Sequence, residues 1–255
     1  MLRALMREVS PSFGRALVRR PGAVAPDAGR AAAQHAAVVA ALRALGVEVR
    51  VLAGSALWPD CCFVEDAAVV SDGLAFITRP GAESRRGEVA LVREALAEVR
   101  PVVELSAPLR LDGGDVLRVG DRLLVGLSQR SDPGAVEALR DAFSPEGIEV
   151  FGVAVGDALH LKCHASAPVP GLLVSVAGWL PDSLVPPGVE RVVVPDAEAY
   201  AANTVGVGET VLVAAGYPET SRRLRAHGLE VVELEVDALA AADGSLTCLS
   251  VLYSA

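Results

Sequence analysis

The amino-acid sequence predicts an α/β fold built as a closed ring of five repeats. Helix-like stretches alternate with strand-like stretches along the chain, which is typical of α/β proteins. Similar two-strand segments recur with a period near 45 residues, which indicates a repeat architecture. The last repeat contains only its first half, and the N-terminus begins with the strand and helix that would complete it.

Three segments have the pattern of a helix followed by a strand: "AAAQHAAVVAALRALGVEVRVL", "GEVALVREALAEVRPVVEL" and "PETSRRLRAHGLEVVELEV". In the second segment, Val89, Val92, Leu96 and Val99 recur at helical spacing. In the third, Gly228 stands where a glycine ends a helix. These segments supply the helices and outer strands of the repeat.

The two-strand segments define the repeat length. "DAAVVSDGLAFIT" starts at Asp66 and "DVLRVGDRLLVGL" starts at Asp115, 49 residues later. "NTVGVGETVLVAA" starts at Asn203, a further 88 residues on, and this distance is two units of 44. "HLKCHASAPVPGLLVSV" fills the gap as a weaker copy. One more step of 45 residues reaches Cys248 in "CLSVLYSA".

A ring that closes on itself brings equivalent strand starts together near its axis. Cys248 then occupies the same place as Asp66, Asp115 and Asn203, so we expect it to face a central pocket. An unpaired cysteine in an apolar strand is otherwise more often a core residue.

Composition limits the classes of function. Of the 255 residues, 52% are apolar, which is enough for a packed core. The net charge of −9 argues against nucleic acid as a partner and is compatible with a cationic substrate. The N-terminal "MLRALMREVS" lacks the apolar run of a signal peptide, and no window approaches the ~18 apolar residues of a membrane span. We therefore expect a cytoplasmic protein with four reduced cysteines and no membrane partner.

Two acidic clusters precede strands of the repeat and should project into one central mouth. "PDCCFVED" contains Asp60, Glu65 and Asp66, and "LDGGD" contains Asp112 and Asp115. Such residues often only cap turns. Around a cysteine, however, carboxylates would raise the pKa of the thiol, which suits a substrate that brings its own positive charge. A planar guanidinium matches carboxylates through paired hydrogen bonds.

Further candidates come from a histidine and two arginines. His160 begins its own repeat and could act as general acid and base opposite Cys248, although a lone histidine in an apolar strand is often structural. His164, further along the strand, is a weaker candidate. Arg85 and Arg130 follow the second strand of successive repeats and could hold a substrate carboxylate. No metal-ligand spacing recurs, so we expect no metal.

Seven motifs together resemble the dimethylarginine dimethylaminohydrolase family. They run in order from about residue 60 to the end of the chain and are "WPDCCFVEDAAVV", "ITRPGAESRRGEV", "LDGGDVL", "VGLSQR", "LHLK", "VPDAEAYAAN" and "DGSLTCLSVL". The resemblance implies the pentein fold, a five-bladed α/β propeller of ββαβ units with pseudo-fivefold symmetry and a central active site. It also implies that residues 1–255 form a single catalytic domain, which acts without a cofactor as a monomer or homodimer.

The resemblance implies a reaction and three catalytic residues. Nω-methylated arginines would be hydrolysed to L-citrulline and dimethylamine or methylamine. Cys248 would attack the guanidinium carbon and form a covalent intermediate. His160 would protonate the leaving amine and then activate water, and Asp112 would orient His160.

The resemblance also implies a set of substrate-binding residues. Asp66 would hold the guanidinium nitrogens, with Phe63 packed beside them and Glu65 as a further binding residue. Arg85 and Arg130 would bind the α-carboxylate. Three more residues complete the set: Asp60 and the backbone carbonyl near Ala242 for the α-amino group, and Leu17 in a flexible lid formed by "SPSFGRALVRRPG".

Other functions remain open from the sequence. An arginine or agmatine deiminase would release ammonia, but such enzymes are longer, and an agmatine enzyme would not need Arg85 and Arg130. An amidinotransferase would also be longer. A non-catalytic pentein, such as a translation factor that binds a ribosomal subunit, would have no reason to keep Cys248, His160 and Asp112 together.

Overall fold

The computed structural model describes residues 1–19 and 24–255, in which the strands form five three-stranded sheets. The strands are β1 (Leu2–Arg7), β2 (Glu48–Leu52), β3 (Ala68–Val70), β4 (Ala75–Ile77), β5 (Val102–Glu104), β6 (Val116–Val119), β7 (Arg122–Leu127), β8 (Glu149–Ala154), β9 (Ala165–Val169), β10 (Leu172–Val176), β11 (Glu190–Val194), β12 (Val205–Val207), β13 (Thr210–Ala214), β14 (Glu230–Leu234) and β15 (Val251–Ser254).

Every sheet has the same pairing pattern. The first two strands of a repeat are antiparallel, as in β3–β4 and β6–β7, and the middle strand then pairs in parallel with the last, as in β4–β5 and β7–β8. The terminal repeat combines both ends of the chain. Strand β15 pairs antiparallel with β1, in register Leu2 opposite Ser254, and β1 pairs in parallel with β2. The predicted closure of the ring is therefore confirmed.

Helices form most of the parallel crossovers, as the repeat predicts. They are α1 (Ala28–Ala44), α2 (Val89–Ala97), α3 (Pro133–Phe143), α4 (Pro218–Ala226) and, after the last crossover, the short α5 (Asp237–Ala240). Gly228, with φ of 80°, follows the end of α4, as the sequence indicates. No helix in residues 1–19 or 24–255 is both long and apolar enough to cross a bilayer.

The third repeat, β9–β11, departs from the ββαβ pattern. Between β10 and β11 the chain forms a single 3₁₀ turn, Asp182–Leu184, in place of an α-helix. Pro181 precedes this turn and Pro186 and Pro187 follow it. Proline lacks the backbone N–H that a helix needs and restricts the residue before it, so this segment cannot extend beyond one turn. This repeat is also the one whose sequence copy is weakest.

A short 3₁₀ turn or segment precedes the first strand of every repeat. These turns lie around the centre of the ring, where neighbours contact one another. Their ranges are Val64–Ala67, Gly113–Asp115, Leu161–Cys163, Asp196–Ala202 and Thr247–Leu249. Cys248 and Asp66 thus occupy equivalent places in the fold, as the period of 45 residues predicts.

Candidate active site

A cavity of about 140 Å³ lies at one end of the ring centre. Nine of the eleven predicted site residues line it: Leu17, Asp60, Phe63, Asp66, Arg85, Arg130, His160, Ala242 and Cys248. These residues come from widely separated parts of the chain. The closed ring of repeats is what brings them to one cavity.

Cys248 reaches the cavity from the turn Thr247–Leu249, and its side chain is buried. The Ser245 hydroxyl lies 3.3 Å from its Sγ atom. Burial, followed by the negative charges of Glu65 and Asp66, raises the pKa of the Cys248 thiol well above its ordinary value. The resting thiol is therefore neutral at pH 7, as the sequence predicts for a cysteine among carboxylates.

His160 lies between two carboxylates. Its Nε2 atom is 3.0 Å from Oδ2 of Asp112 and 3.9 Å from Oδ1 of Asp66. Burial alone would lower the pKa of His160, but the charges of Asp66 and Asp112 outweigh it and raise the pKa to about 9. His160 is therefore an imidazolium at neutral pH, which can give a proton to a leaving group.

Asp112 lies behind His160, outside the cavity lining. It is completely buried, and its Oδ1 atom accepts a hydrogen bond of 2.8 Å from the Gly81 N–H. Arg130 approaches the same carboxylate, with 3.6 Å between its Nη1 and Oδ2 of Asp112. With one oxygen held by backbone, Asp112 presents the other to His160, which is the arrangement that a residue orienting the imidazole requires.

Asp66 is fixed from two sides. Its Oδ2 atom accepts a 2.5 Å hydrogen bond from Arg85 Nη1, and its Oδ1 atom accepts one of 2.9 Å from the Gly114 N–H. Burial would raise the pKa of Asp66, but His160 and Arg85 outweigh it and lower the pKa to about 2. Asp66 is thus a permanent negative charge at the cavity.

Most donors of Arg85 are used within the protein. Its Nε donates to Glu88 at 3.0 Å and its Nη1 to Asp66, while Nη2 donates to the carbonyl oxygens of Phe63 and Asp60 at 3.0 and 3.5 Å. Four of its five N–H groups are occupied, so Arg85 has one left for a ligand. Arg130 lines the same cavity, and its contact to Asp112 is longer, at 3.6 Å.

The N-terminal segment covers the cavity. Its residues Leu17, Val18 and Arg19 line it, the Leu17 N–H donates to Asp60 Oδ1 at 3.0 Å, and the Arg19 N–H donates to Asp243 at 2.6 Å. Of the predicted lid, residues 20–22 lie outside the described residues. The described part of the lid lines the cavity, and its Leu17 N–H is hydrogen-bonded to Asp60.

Close packing at the centre explains the glycine pair in "LDGGD". A Cβ atom on Gly113 would lie 1.9 Å from the carbonyl oxygen of Glu65. One on Gly114 would lie 2.6 Å from Nδ1 of His160. A side chain at Gly113 would therefore displace the Glu65 backbone, and one at Gly114 would displace the side chains of His160 and Asp66.

Glu65 and Asp115 do not line the cavity, which corrects two expectations. Glu65 turns away from Asp66 and lines a second cavity, of about 380 Å³, formed by the first strands of the repeats. Asp115 accepts hydrogen bonds from the hydroxyls of Ser128 and Ser131, both at 2.6 Å, and from the Leu161 N–H at 2.9 Å. Consecutive residues of a tight turn point in different directions, so a shared sequence cluster does not guarantee a shared cavity.

One group of side chains has metal-ligand geometry in the described chain. One ligand atom from each of Asp66, Asp112 and His160 lies within 4.8 Å of the others. These atoms already satisfy one another and Arg85 as alternating charges, so the geometry is equally that of a proton-transfer site. His164, the weaker histidine candidate, packs edge-on against Trp179 with ring centroids 4.6 Å apart.

Sequence reasoning placed Asn203 at the centre but gave it no role. The structure shows its side chain joined to Lys162 and Thr247 by three hydrogen bonds. The signal was available, because Asn203 aligns with Asp66 and Cys248 in the repeat. No local pattern indicated its partners.

Comparisons with known proteins identify the family of this chain. The family model for N,N dimethylarginine dimethylhydrolase, eukaryotic, matches residues 25–166. The N(G),N(G)-dimethylarginine dimethylaminohydrolase of Streptomyces coelicolor is 39% identical over 98% of this chain and 96% of its own. Its counterpart from Pseudomonas aeruginosa is 31% identical over 89% of this chain and 90% of its own.

Solved structures extend the likeness to three dimensions. The Pseudomonas aeruginosa enzyme, in a cysteine-to-serine form complexed with citrulline, has a TM-score of 0.90 and 29% identity over 98% of both chains. A histidine-to-glycine dimethylarginine dimethylaminohydrolase, as an adduct with S-methyl-L-thiocitrulline, has a TM-score of 0.92 and 28% identity over 98% of both chains. The fold and site define a pentein-fold hydrolase. The chain belongs to the dimethylarginine dimethylaminohydrolase family.

Proposed function

We propose that this protein hydrolyses Nω-methylated arginines, asymmetric dimethylarginine and monomethylarginine, to L-citrulline and dimethylamine or methylamine. The observation that carries the proposal is a single cavity in which a neutral thiol, an imidazolium and a permanent carboxylate meet: Cys248, His160 and Asp66. A cationic guanidinium complements this set, and the relatives named for this activity match almost the whole chain.

In this proposal Asp66 binds the guanidinium nitrogens and Phe63 packs against the group. The α-carboxylate lies at Arg130, with the remaining N–H of Arg85 as a second donor. Asp60 and the carbonyl of Ala242 accept from the α-amino group, and Leu17 closes over the substrate. Since Asp60 already accepts from the Leu17 N–H, substrate and lid share one carboxylate.

The first half-reaction forms the covalent intermediate. The guanidinium lowers the pKa of the Cys248 thiol, whose proton leaves to solvent, and the sulfur forms a bond to the guanidinium carbon. His160 donates its proton to the methylated nitrogen. The carbon–nitrogen bond then breaks, and neutral dimethylamine or methylamine departs, leaving a cationic thiouronium on Cys248.

The second half-reaction regenerates the enzyme. Neutral His160 takes a proton from water, whose oxygen adds to the thiouronium carbon. The carbon–sulfur bond then breaks and the electron pair returns to Cys248. The adduct loses a proton as the ureido group of citrulline forms, and this proton restores the neutral Cys248 thiol. Asp112 holds His160 in place through both steps by the 3.0 Å contact to Nε2.

We extend the proposal to the domain organisation, location, oligomeric state and partners of the protein. Residues 1–255 act as one catalytic domain in the cytoplasm, as a monomer or homodimer, without cofactor, nucleic acid or membrane partner. Glu65 supports the turn that carries Cys248 from behind the cavity, through its hydrogen bond to Thr247.

The test is to incubate the protein separately with asymmetric dimethylarginine, monomethylarginine, arginine and agmatine, and to identify the amine and ureido products. We expect citrulline with dimethylamine or methylamine from the first two. Ammonia from arginine or agmatine as the main product would identify a deiminase instead. Failure to turn over any of the four would refute the proposal.

A further inference from the structure

Asn203 joins the two turns that carry Cys248 and His160. Its Nδ2 donates to the carbonyl oxygen of Lys162 at 3.0 Å and to Oγ1 of Thr247 at 2.9 Å. Its Oδ1 accepts from the Thr247 N–H at 2.9 Å. Lys162 is two residues after His160, and Thr247 directly precedes Cys248. One buried amide thus connects the segments of the proposed acid and nucleophile.

Glu65 closes these contacts into a ring of four residues. Its Oε1 accepts from Nζ of Lys162 and its Oε2 from Oγ1 of Thr247, both at 2.7 Å. The Thr247 hydroxyl therefore donates to Glu65 and accepts from Asn203. Both of its hydrogen-bonding directions are used, which fixes its rotamer.

The four hydrogen-bonded residues include two residue types that are rare in this chain. Lys162 is the only lysine among 23 basic Lys and Arg residues, and Asn203 is the only asparagine. A compact ammonium and a short carboxamide stand at these two positions, although arginine is the basic residue at every other position. Arginine is a larger planar fork, so it would not reproduce the single 2.7 Å contact to Glu65.

None of Asn203, Thr247 and Lys162 lines the cavity that contains Cys248. We propose that Asn203 and Thr247 are positioning residues, which hold the Cys248 turn at a fixed distance from the His160 turn. This inference rests on the proposed function for its effect on turnover. Small displacements of reacting groups lower the rate of the chemical step far more than they weaken substrate binding.

The first experiment uses a pair of matched variants. Thr247→Val keeps the side-chain shape but removes both hydroxyl hydrogen bonds. Thr220→Val removes an equivalent hydroxyl, which donates to Glu198 at the same 2.7 Å at the start of α4. We expect Thr247→Val to lower kcat by roughly 10- to 100-fold with KM changed by less than about 3-fold. Thr220→Val should lower the melting temperature comparably but leave kcat unchanged.

Conservative and double variants complete the test. Thr247→Ser keeps the hydroxyl and should restore kcat to within about 3-fold of the unmodified protein. Asn203→Ala should lower kcat like Thr247→Val, and the double variant should be less impaired than the product of the two single effects, because both changes remove the hydrogen bond between Asn203 Nδ2 and Thr247 Oγ1. If Thr247→Val loses stability like Thr220→Val but keeps its kcat, the inference is wrong.

A second readout separates this inference from the proposed function. The rate of Cys248 modification by 2-chloroacetamidine, a small cationic electrophile, is followed by mass spectrometry and needs no turnover. We expect the rate to fall in Thr247→Val and Asn203→Ala and to recover in Thr247→Ser. If the protein without substitutions hydrolyses no methylarginine, the proposed function alone is refuted. Equal modification rates in all variants would refute the positioning role alone.

Discussion

The Arg85–Asp66 pair at the centre of the ring and the Arg110–Asp132 pair near the surface join the same two residue types in different surroundings. Their N–O contacts are similar, at 2.5 and 2.6 Å. The central side chains are only 6% and 3% exposed, whereas the outer ones are 39% and 25% exposed. The two pairs therefore differ in how much of their hydration they lose when the protein folds.

Because of this difference in exposure, the two pairs contribute differently to the free energy of folding. An exposed pair contributes little, because water and salt screen it. A buried pair must offset the desolvation of both charges, so its net contribution to folding is small although breaking it is costly. The central pair belongs to a row of alternating charges that crosses the site: Glu88, Arg85, Asp66, His160, Asp112 and Arg130. We interpret this row as a device that sets protonation states.

The largest expected effect is at the nucleophile. Cys248→Ser should lower turnover of dimethylarginine by roughly 10³-fold or more, because a hydroxyl is far less acidic than a thiol. Steady-state kinetics with detection of citrulline measures it, and circular dichroism checks the fold. Cys61→Ala, which removes a buried thiol outside the cavity, is the control and should retain activity. An active Cys248→Ser protein would exclude the covalent mechanism.

The second largest effect is expected on the free energy of unfolding when Arg85 or Arg110 is replaced by methionine. Arg85→Met leaves Asp66 and Glu88 buried without their cation and should cost about 3–5 kcal/mol. Arg110→Met should cost less than about 1 kcal/mol, and this cost should vanish near 1 M salt. Urea denaturation at low and high salt measures both. Similar costs for the two variants would remove the distinction between centre and surface.

A smaller effect is expected on the protonation of His160. Asp112→Asn removes one of the charges that raise its pKa, so the pKa should fall from about 9 by ~1 unit or more. NMR titration of the His160 ring measures it. Because the folded pKa lies above the unfolded value of about 6.5, this interaction stabilises the fold fully below that pH. The stability gap between the two proteins should therefore shrink as pH rises through 9.

The smallest change concerns the resting thiol. Alkylation of Cys248 by iodoacetamide across pH should have a midpoint at or above that of a free thiol, about 8.5. A small cationic amidine that leaves the sulfur accessible should speed the reaction near neutral pH. Mass spectrometry of the modified peptide follows both. A midpoint near 6 in the free protein would mean that the thiolate is preformed, and the role of the substrate's charge would be lost.

Much of the fold followed from the sequence. The period of 45 residues predicted that a two-strand segment recurs and that the chain closes on itself, because each repeat buries its apolar strands only against its neighbours. The same period placed Cys248 and Asp66 at equivalent positions. The expected ββαβ unit was wrong for the third repeat, because prolines limit its crossover segment to one 3₁₀ turn in place of a helix.

The ring of repeats and the residue types at its centre could be predicted from the amino-acid sequence. The direction of each side chain could not be predicted in this way, because it depends on contacts formed in the folded protein. Asp66 faces the cavity, whereas its neighbour Glu65 accepts hydrogen bonds from Lys162 and Thr247. Arg85 donates most of its hydrogen bonds to other groups of the protein. The physical reason is the distance along the chain over which each signal acts. Periodicity reports burial along one segment, whereas these directions depend on hydrogen bonds between segments distant in the chain.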